Sequence, residues 1–401
     1  MDSLTHLVAG ALTPLAFPGA PRRAALLGFG IAAGELPDMD IFFGSTPEAL
    51  MVLHRGITHA LVWQPLLALL VVLPFYLWMR CKAVRPAPDA RPEPGGRVLS
   101  GPSLSGSDVR PHPGAGRFGL GSLYLAALFA LYTHIYLDCM TTFGTQIFLP
   151  FSATRVGFPA MFIVDLLLTL PALGLMIYAW RLPPEHAAAP ADSLAGVRPR
   201  RGEAPSAGAF VSVRARRAAR VGLAWMLLYP LAALGVNAAA TALYAPSLAP
   251  GCSLRLLTEP FSPLVWKAVV DEGHTYRMGT LFLASAQGPQ WERFVQPEPM
   301  LYEVLKRQNT IFRQFEDFAP LMVQAERPAS YLTQAEYAEK VTEYAFADLR
   351  YLMSPDSPAR LFGRTDPNFI LEARVNDSGA LLAYRFLRRG KLESTPWTLL
   401  Q

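Results

Sequence analysis

Apolar residues fall into six blocks across the first 245 positions of the 401-residue chain, and from position 251 they give way to alternation. Four blocks, 57–79, 118–138, 158–180 and 221–245, reach the roughly 20 residues that a helix needs to cross the hydrocarbon core of a bilayer. Two shorter blocks, 3–17 and 22–36, precede them, and segments of that length are expected to tilt, kink or re-enter. Beyond 251, residues 264–286 alternate around Asp271-Glu272-Gly273, and residues 369–387 around Asn376-Asp377-Ser378-Gly379, each predicting a β-hairpin. Residues 299–316 place Leu301, Val304, Leu305, Ile311, Phe312 and Phe315 on one helical face. The pattern predicts a mainly α chain, a polytopic membrane helical bundle of about six helical segments with a C-terminal soluble α+β domain.

Composition strengthens the membrane reading, since 52% of residues are hydrophobic and only 17% charged. The opening block carries Asp2 and His6 in place of a basic start and runs on without a cleavage signature, so it is read as structure and not as a signal peptide. Cys81, Cys139 and Cys252 are too scattered for a disulfide framework or a metal knuckle.

The net charge of +5 is unevenly spread. Residues 80–117 carry seven Lys/Arg against three acids, and residues 181–220 eight against three, in stretches rich in Pro, Ala, Gly and Ser. Such stretches read as flexible loops held on the cytoplasmic side by the positive-inside rule. From 251 onward, 17 basic residues balance 18 acidic ones, which leaves no nucleic-acid footprint. The domain reading is therefore a membrane domain over 1–182 with a flexible cytoplasmic loop at 81–117, a flexible basic cytoplasmic loop at 183–219, a transmembrane helix at 220–246 and an extracytoplasmic α+β domain at 251–401.

Alternating the spans from those loops puts the N-terminus, residues 37–56, residues 139–157 and everything after 250 outside. Charge alone thereby gathers four short motifs at one outer face: Asp2-x3-His6, Asp38-x-Asp40, His54-x4-His59 and His134-x3-Asp138. Only seven histidines occur in the chain, so the concentration of four of them in these motifs is informative. On a helix, residues four apart share a face, so His6 with Asp2 and Asp138 with His134 form natural chelates. Pro37 ends a helix, and Asp38 and Asp40 then project from an extended turn, one suited to bridge ions and the other to act as ligand or base. Any one pair alone reads more simply as a cap or an interfacial residue, but together they read as a metal site.

Imidazole and carboxylate without thiolate suit Zn first, with Mn or Fe as alternatives, and eight candidate ligands exceed what one tetrahedral ion takes. Two or three divalent ions are expected. Two ions about 3.5 to 4 Å apart lower the pKa of bound water toward about 7 and clamp both oxygens of a displacement, which points to hydrolysis, with phosphoesters favoured. Asp38 and Asp40 are the candidate catalytic carboxylates. Arg55 is expected either to fork onto a substrate anion or to pair with a headgroup or a ligand carboxylate. Asp165, read as lying inside an apolar span, is expected to orient a ligand histidine, to be a further ligand, or to be a structural acid at the mouth.

The segments Met-Asp-Ser-Leu-Thr-His at 1–6, Leu-Pro-Asp-Met-Asp at 36–40, His-Arg-Gly-Ile-Thr-His at 54–59 and His-Ile-Tyr-Leu-Asp-Cys-Met-Thr-Thr-Phe-Gly at 134–144 together resemble the YdjM family of inner-membrane, metal-dependent hydrolases. The resemblance covers about residues 1–180 and implies a helical membrane domain distantly similar to the zinc-dependent phospholipase C and P1 nuclease group. The family often has serine where Ala60 stands. The expectation is thus an integral bacterial inner-membrane hydrolase acting at the outer face on a lipid or lipid-linked phosphoester. Its rivals are a non-catalytic metal-binding sensor or assembly module, and a metal-dependent amide hydrolase.

Overall fold

Asp2 starts the first helix by accepting the amide of Thr5 on its side chain, and the 14 residues of α1 (Ser3–Ala16) that follow bury most of their surface. Such burial follows from position: α1 touches α2 (Ala24–Glu35), α5 (Leu120–Cys139), α6 (Leu166–Arg181) and α7 (Val213–Tyr244). Val8, Leu12, Leu15, Leu26, Phe29, Leu131, Leu168 and Met226 share one core there. The computed structural model describes residues 2–21, 24–44, 46–83, 119–186, 209–285, 288–326, 340–358, 360, 369–388 and 396–400. Most of both basic loops, together with Arg22 and Arg23, lies outside the described residues.

Among the described residues, three helical stretches are long and apolar enough to cross a membrane: Leu61–Cys81, Leu120–Cys139 and Val213–Ser247. The first covers most of α4 (Gln64–Ala83). Helices α1, α2 and α6 are apolar but shorter. The block expected at 158–180 begins its helix only at Leu166, because Asp165 accepts the amide of Leu168 and caps it. Asp165 therefore stands at a helix start, not inside a span. A short helix, α3 (Pro47–Leu53), capped by Thr46, lies between the acidic turn and the His54 segment.

After α7 the chain forms a nine-stranded antiparallel sheet in which each strand pairs with its neighbours in sequence. Its strands follow a two-stranded ribbon made of β1 (Glu185–His186) and β2 (Ala209–Phe210). They run β3 (Ser253–Thr258), β4 (Val265–Asp271), β5 (Thr275–Phe282), β6 (Glu292–Val295), β7 (Met322–Glu326), β8 (Thr342–Asp348), β9 (Phe369–Val375), β10 (Leu381–Arg388) and β11 (Thr398–Leu399). Both hairpins read from the alternation form, with Asp271 opposite Tyr276 and Val375 opposite Leu381. The amphipathic stretch is two helices, α8 (Pro299–Gln308) and α9 (Thr310–Phe318), because the Asn309 side chain accepts the amide of Ile311 and starts a new helix. Phe312, Phe315 and Phe318 pack with Phe346, Phe369 and Phe386 of the sheet. The architecture is thus a helical N-terminal half joined to a C-terminal antiparallel sheet domain, and not the mainly α chain expected.

Two of the features that join the halves involve α7 and α3. Helix α7 runs on to the sheet, where Ala240 shares a core with Leu256, Trp266 and Leu281 and the Asn237 side chain donates to the Leu256 carbonyl at 2.9 Å. Met51 of α3 is buried in the aromatic core of the sheet domain.

Within the bundle, α1 and α2 meet backbone to backbone. A Cβ placed on Gly34 would lie 2.8 Å from the His6 carbonyl oxygen and 3.0 Å from Gly10 Cα, and one on Gly10 would lie 2.3 Å from the Gly30 carbonyl oxygen. Small residues at such a crossing allow the approach that a side chain would block. We expect Gly34→Ala to force the helices apart and destabilise the protein by about 1 to 3 kcal/mol. Gly28→Ala, which meets nothing within 4 Å, is the control and should be neutral or stabilising. Thermal unfolding in detergent compares the two.

Candidate metal centre

Pro37 opens a 3-10 turn, Pro37–Phe42, that presents Asp38 and Asp40 beside a second turn, Ile57–His59. Helix α5 supplies His134 and Asp138 from its last turns. These three elements bring Asp38, His59, His134 and Asp138 together so that one ligand atom from each lies within 4.8 Å of the others. A second group of the same spread contains Asp38, Asp40 and His54, so Asp38 belongs to both.

Hydrogen bonding fixes which ring nitrogens face inward. The Gly34 carbonyl can only accept, so His134 Nδ1, 2.6 Å away, donates to it and leaves Nε2 as a lone pair in the neutral ring. Thr58 donates its hydroxyl proton to Asp40 Oδ2 at 2.9 Å, so at 3.0 Å it accepts from His59 Nδ1. His59 Nε2 then also turns a lone pair inward. The two Nε2 atoms are 3.2 Å apart. Asp38 Oδ1 lies 3.3 Å and 3.5 Å from them, and Asp138 Oδ2 3.2 Å and 3.5 Å. Asp38 Oδ1 is buried without a hydrogen-bond partner. Lone pairs converging at this spacing repel one another unless a cation sits among them, and two imidazoles with two carboxylates suit a divalent ion such as Zn.

The surrounding residues hold this arrangement. Asp40 accepts His54 Nδ1 on Oδ1 at 2.8 Å, and the Arg55 amide at 3.0 Å and the Thr58 hydroxyl on Oδ2. The Arg55 amide bond fixes a left-handed backbone, φ 59°, that costs an ordinary residue about 1 to 3 kcal/mol. The buried Arg55 guanidinium pairs with Asp138 Oδ1 at 2.9 Å, donates to Thr141 Oγ1 at 2.9 Å and lies over the Phe143 ring. Arg55 is thus engaged with a ligand-group carboxylate, one of the two roles expected for it.

His6 stacks on His134 with ring centroids 3.6 Å apart, and its Nε2 lies 3.2 Å from Asp138 Oδ1, beside the first group but outside it. Asp2 also falls outside both groups, its carboxylate accepting the Thr5 amide and hydroxyl. Asp165 accepts from Tyr229 and from the Leu168 amide, likewise outside the groups. Two contributors had no sequence motif to reveal them. One is the Gly34 carbonyl, and the other is Glu35, whose buried Oε1 has no hydrogen-bond partner and whose charge is felt with those of His134 and Asp38. An acid closing an apolar helix, where the helix dipole disfavours it, is the signal that was there to read.

Burial resists ionisation of Asp38, but the His134 and His59 rings beside it outweigh that and hold its carboxyl below the usual range. Asp40 is held low against burial in the same way by His54 and His59. Burial would lower His59, yet the Asp138, Asp38 and Asp40 carboxylates beside it more than reverse that and raise its pKa to about 10.

Residues 1–243 match the family described as YdjM inner membrane protein. No curated protein and no solved structure matches the chain, so the wider kinship with the phospholipase C and P1 nuclease group has no support from these comparisons.

A cation entering the first group must displace the His59 proton. Because that proton is held until pH about 10, the apparent metal affinity should rise as pH rises from 6 to 8, by about tenfold per unit for one proton released. Titrations in two buffers of different ionisation enthalpy count the released proton. In Asp40→Asn, with one carboxylate removed, the His59 pKa falls and the pH dependence should flatten.

Proposed function

Because the chain belongs to the YdjM family of inner membrane proteins, we propose that it is a membrane-bound, metal-dependent hydrolase acting on a phosphoester of a lipid or lipid-linked substrate at the outer face. The observation that carries this reading is the convergence of Asp38, His59, His134 and Asp138, with Asp38 shared by the second group of Asp40 and His54. A divalent pair bound there, zinc before manganese or iron, would supply a water ionised near neutral pH and neutralise charge on the leaving oxygen.

The protein's own residues divide the work around that chemistry. Asp38 spans the two groups. Asp40 orients His54 directly and His59 through Thr58. The Gly34 carbonyl holds the His134 tautomer, and Arg55 pairs with Asp138 and keeps it in place. Carboxylate and carbonyl partners behind metal-binding histidines commonly govern affinity in this way. His6 and Asp2 bound the site on the α1 side.

A lipidic substrate fits the surroundings. Phe42, Phe43, Phe148 and Phe151 are exposed on the turns that neighbour the ligand groups, Phe151 at 85%, as aromatic residues are at a bilayer interface. The orientation, with this face and the sheet domain outside, rests on the basic excess of 80–117 and 181–220 and on alternation of the spans. Six crossings follow if the bilayer thins around the shorter α1, α2 and α6 beside the three long helices.

A second reading draws on the donor count: four donors in the first group fill a tetrahedral shell, as in structural sites. A non-catalytic sensor or assembly module would use the centre that way. Purified protein with metal analysis, assayed on generic phosphodiester and phosphomonoester substrates, separates the two. We expect metal-dependent turnover in the wild type, loss of both metal and turnover in Asp38→Asn, and a drop in metal affinity of about 10- to 100-fold in Asp40→Asn. A metal-replete wild type inert on every ester and amide tested would overturn the enzyme reading in favour of the module.

A further inference from the structure

A cleft of about 710 Å³ separates the ligand-bearing loops of the helical half from the sheet domain. Its walls come from α3, from the 142–159 segment, from β3 and from the end of α9. The volume is that of a small-molecule site. Its charged lining is one-sided: Arg155, Arg255 and Arg350 against Asp317. Arg350 is matched by Asp348 at 2.8 Å. Among the described residues no carboxylate lies within ion-pair distance of Arg155 or Arg255.

Arg155 is held at the cleft wall by backbone carbonyls, those of Gly144 and His54 at 3.3 and 3.5 Å among them. Its guanidinium donates to the Met51 carbonyl at 2.6 Å and lies 5.7 Å and 5.6 Å from the ring centroids of Phe143 and Phe318. Its electrostatic neighbours include the cations Arg350 and Arg55. A half-buried cation among cations is costly unless an anion is available to it. Beside it, Phe143, Phe318, Leu257, Leu321 and Val52 give the cleft an apolar wall.

We propose that this cleft binds an anionic amphiphile of the membrane, a phosphate-bearing lipid headgroup with the first part of its acyl chains, through Arg155 and Arg255 on the phosphate and the Phe143–Phe318 wall on the apolar part. The proposal deepens the lipid-phosphoester reading and rests on it for the ligand's class. Phe143 links the two places, since its ring packs edge-on against His54 at 5.6 Å and beneath Arg55 at 4.9 Å.

The test is equilibrium binding of radiolabelled dihexanoyl phosphatidate to the full chain in phosphatidylcholine nanodiscs, with empty discs as blank and with chelator present. Arg255 and Asp317 are both exposed and outside the metal centre, so their variants keep the fold. Saturable binding is expected, weakened about tenfold by Arg255→Gln as a charge-assisted hydrogen bond is lost, and tightened by Asp317→Asn. Opposite signs from two exposed residues are not what general destabilisation gives. Equal binding in both variants and wild type overturns the proposal. Competition by inorganic phosphate as strong as by the lipid also overturns it, assigning the cleft to a free anion, and competition by dihexanoyl phosphatidylcholine as strong as by phosphatidate removes the role of charge. Asp38→Asn separates this outcome from the hydrolase reading: it should leave cleft binding unchanged while abolishing turnover. Binding without turnover in any protein sinks the hydrolase alone, and turnover that ignores Arg255 and Asp317 with no cleft binding sinks the cleft alone.

Discussion

Lone pairs directed at a common point inside a helical bundle are the constraint on which the rest of this structure depends. His59 Nε2, His134 Nε2, Asp38 Oδ1 and Asp138 Oδ2 approach one another at 3.2 to 3.5 Å, distances at which they repel unless something positive lies among them. In low dielectric that repulsion is far larger than in water. The surrounding chain is built to withstand it: a carbonyl pins one ring, a threonine and an aspartate pin the other, and a buried guanidinium offsets the most enclosed carboxylate.

The same constraint explains why α1 and α2 must touch through glycine. Gly34 offers its carbonyl to His134, and its missing side chain lets the backbone of α1 at His6 come close. A bulkier pair of helices would keep the hydrophobic core but move His6 and the Gly34 carbonyl away from the rings they serve. Stability and ligand geometry are thus set by one contact.

The Asp/His groups that could hold a metal were legible in the sequence as neighbours because they come as short motifs at helix ends, where spacing four and the Asp-x-Asp turn limit what geometry can do. The two hairpins were legible for a similar local reason, their turn residues and alternation. Asp2 and Asp165 show the limit of that reading: both read from the sequence as metal ligands or as partners of one, and both accept the amide three residues on as helix caps. Spacing cannot separate a cap from a chelate, since the same short acid does either. The long stretch at 299–316 reads as one helix until Asn309 is seen to cap a second. Gly34 and the cleft were hidden because each depends on segments far apart in the chain, and the cleft joins α3 to strands some 200 positions away.

What the sheet domain does for the centre follows from where it grips. Arg350, anchored by Asp348, donates to the Thr142 carbonyl at 2.6 Å, and also to the Phe318 carbonyl, while Met51 is sunk in the sheet's aromatic core. Thr142 follows Thr141, which receives Arg55, and Met51 precedes His54 by three positions. Arg155 closes the arrangement by tying the Met51 carbonyl to its own loop. The loops that carry the ligands are therefore held from the sheet side as firmly as from the bundle side. A domain attached only to recruit a partner would have no need of these bonds. Their placement argues that the sheet domain is part of the centre's support, so that a ligand seated between the halves would bear on the position of His54 and Arg55 through a few shared residues.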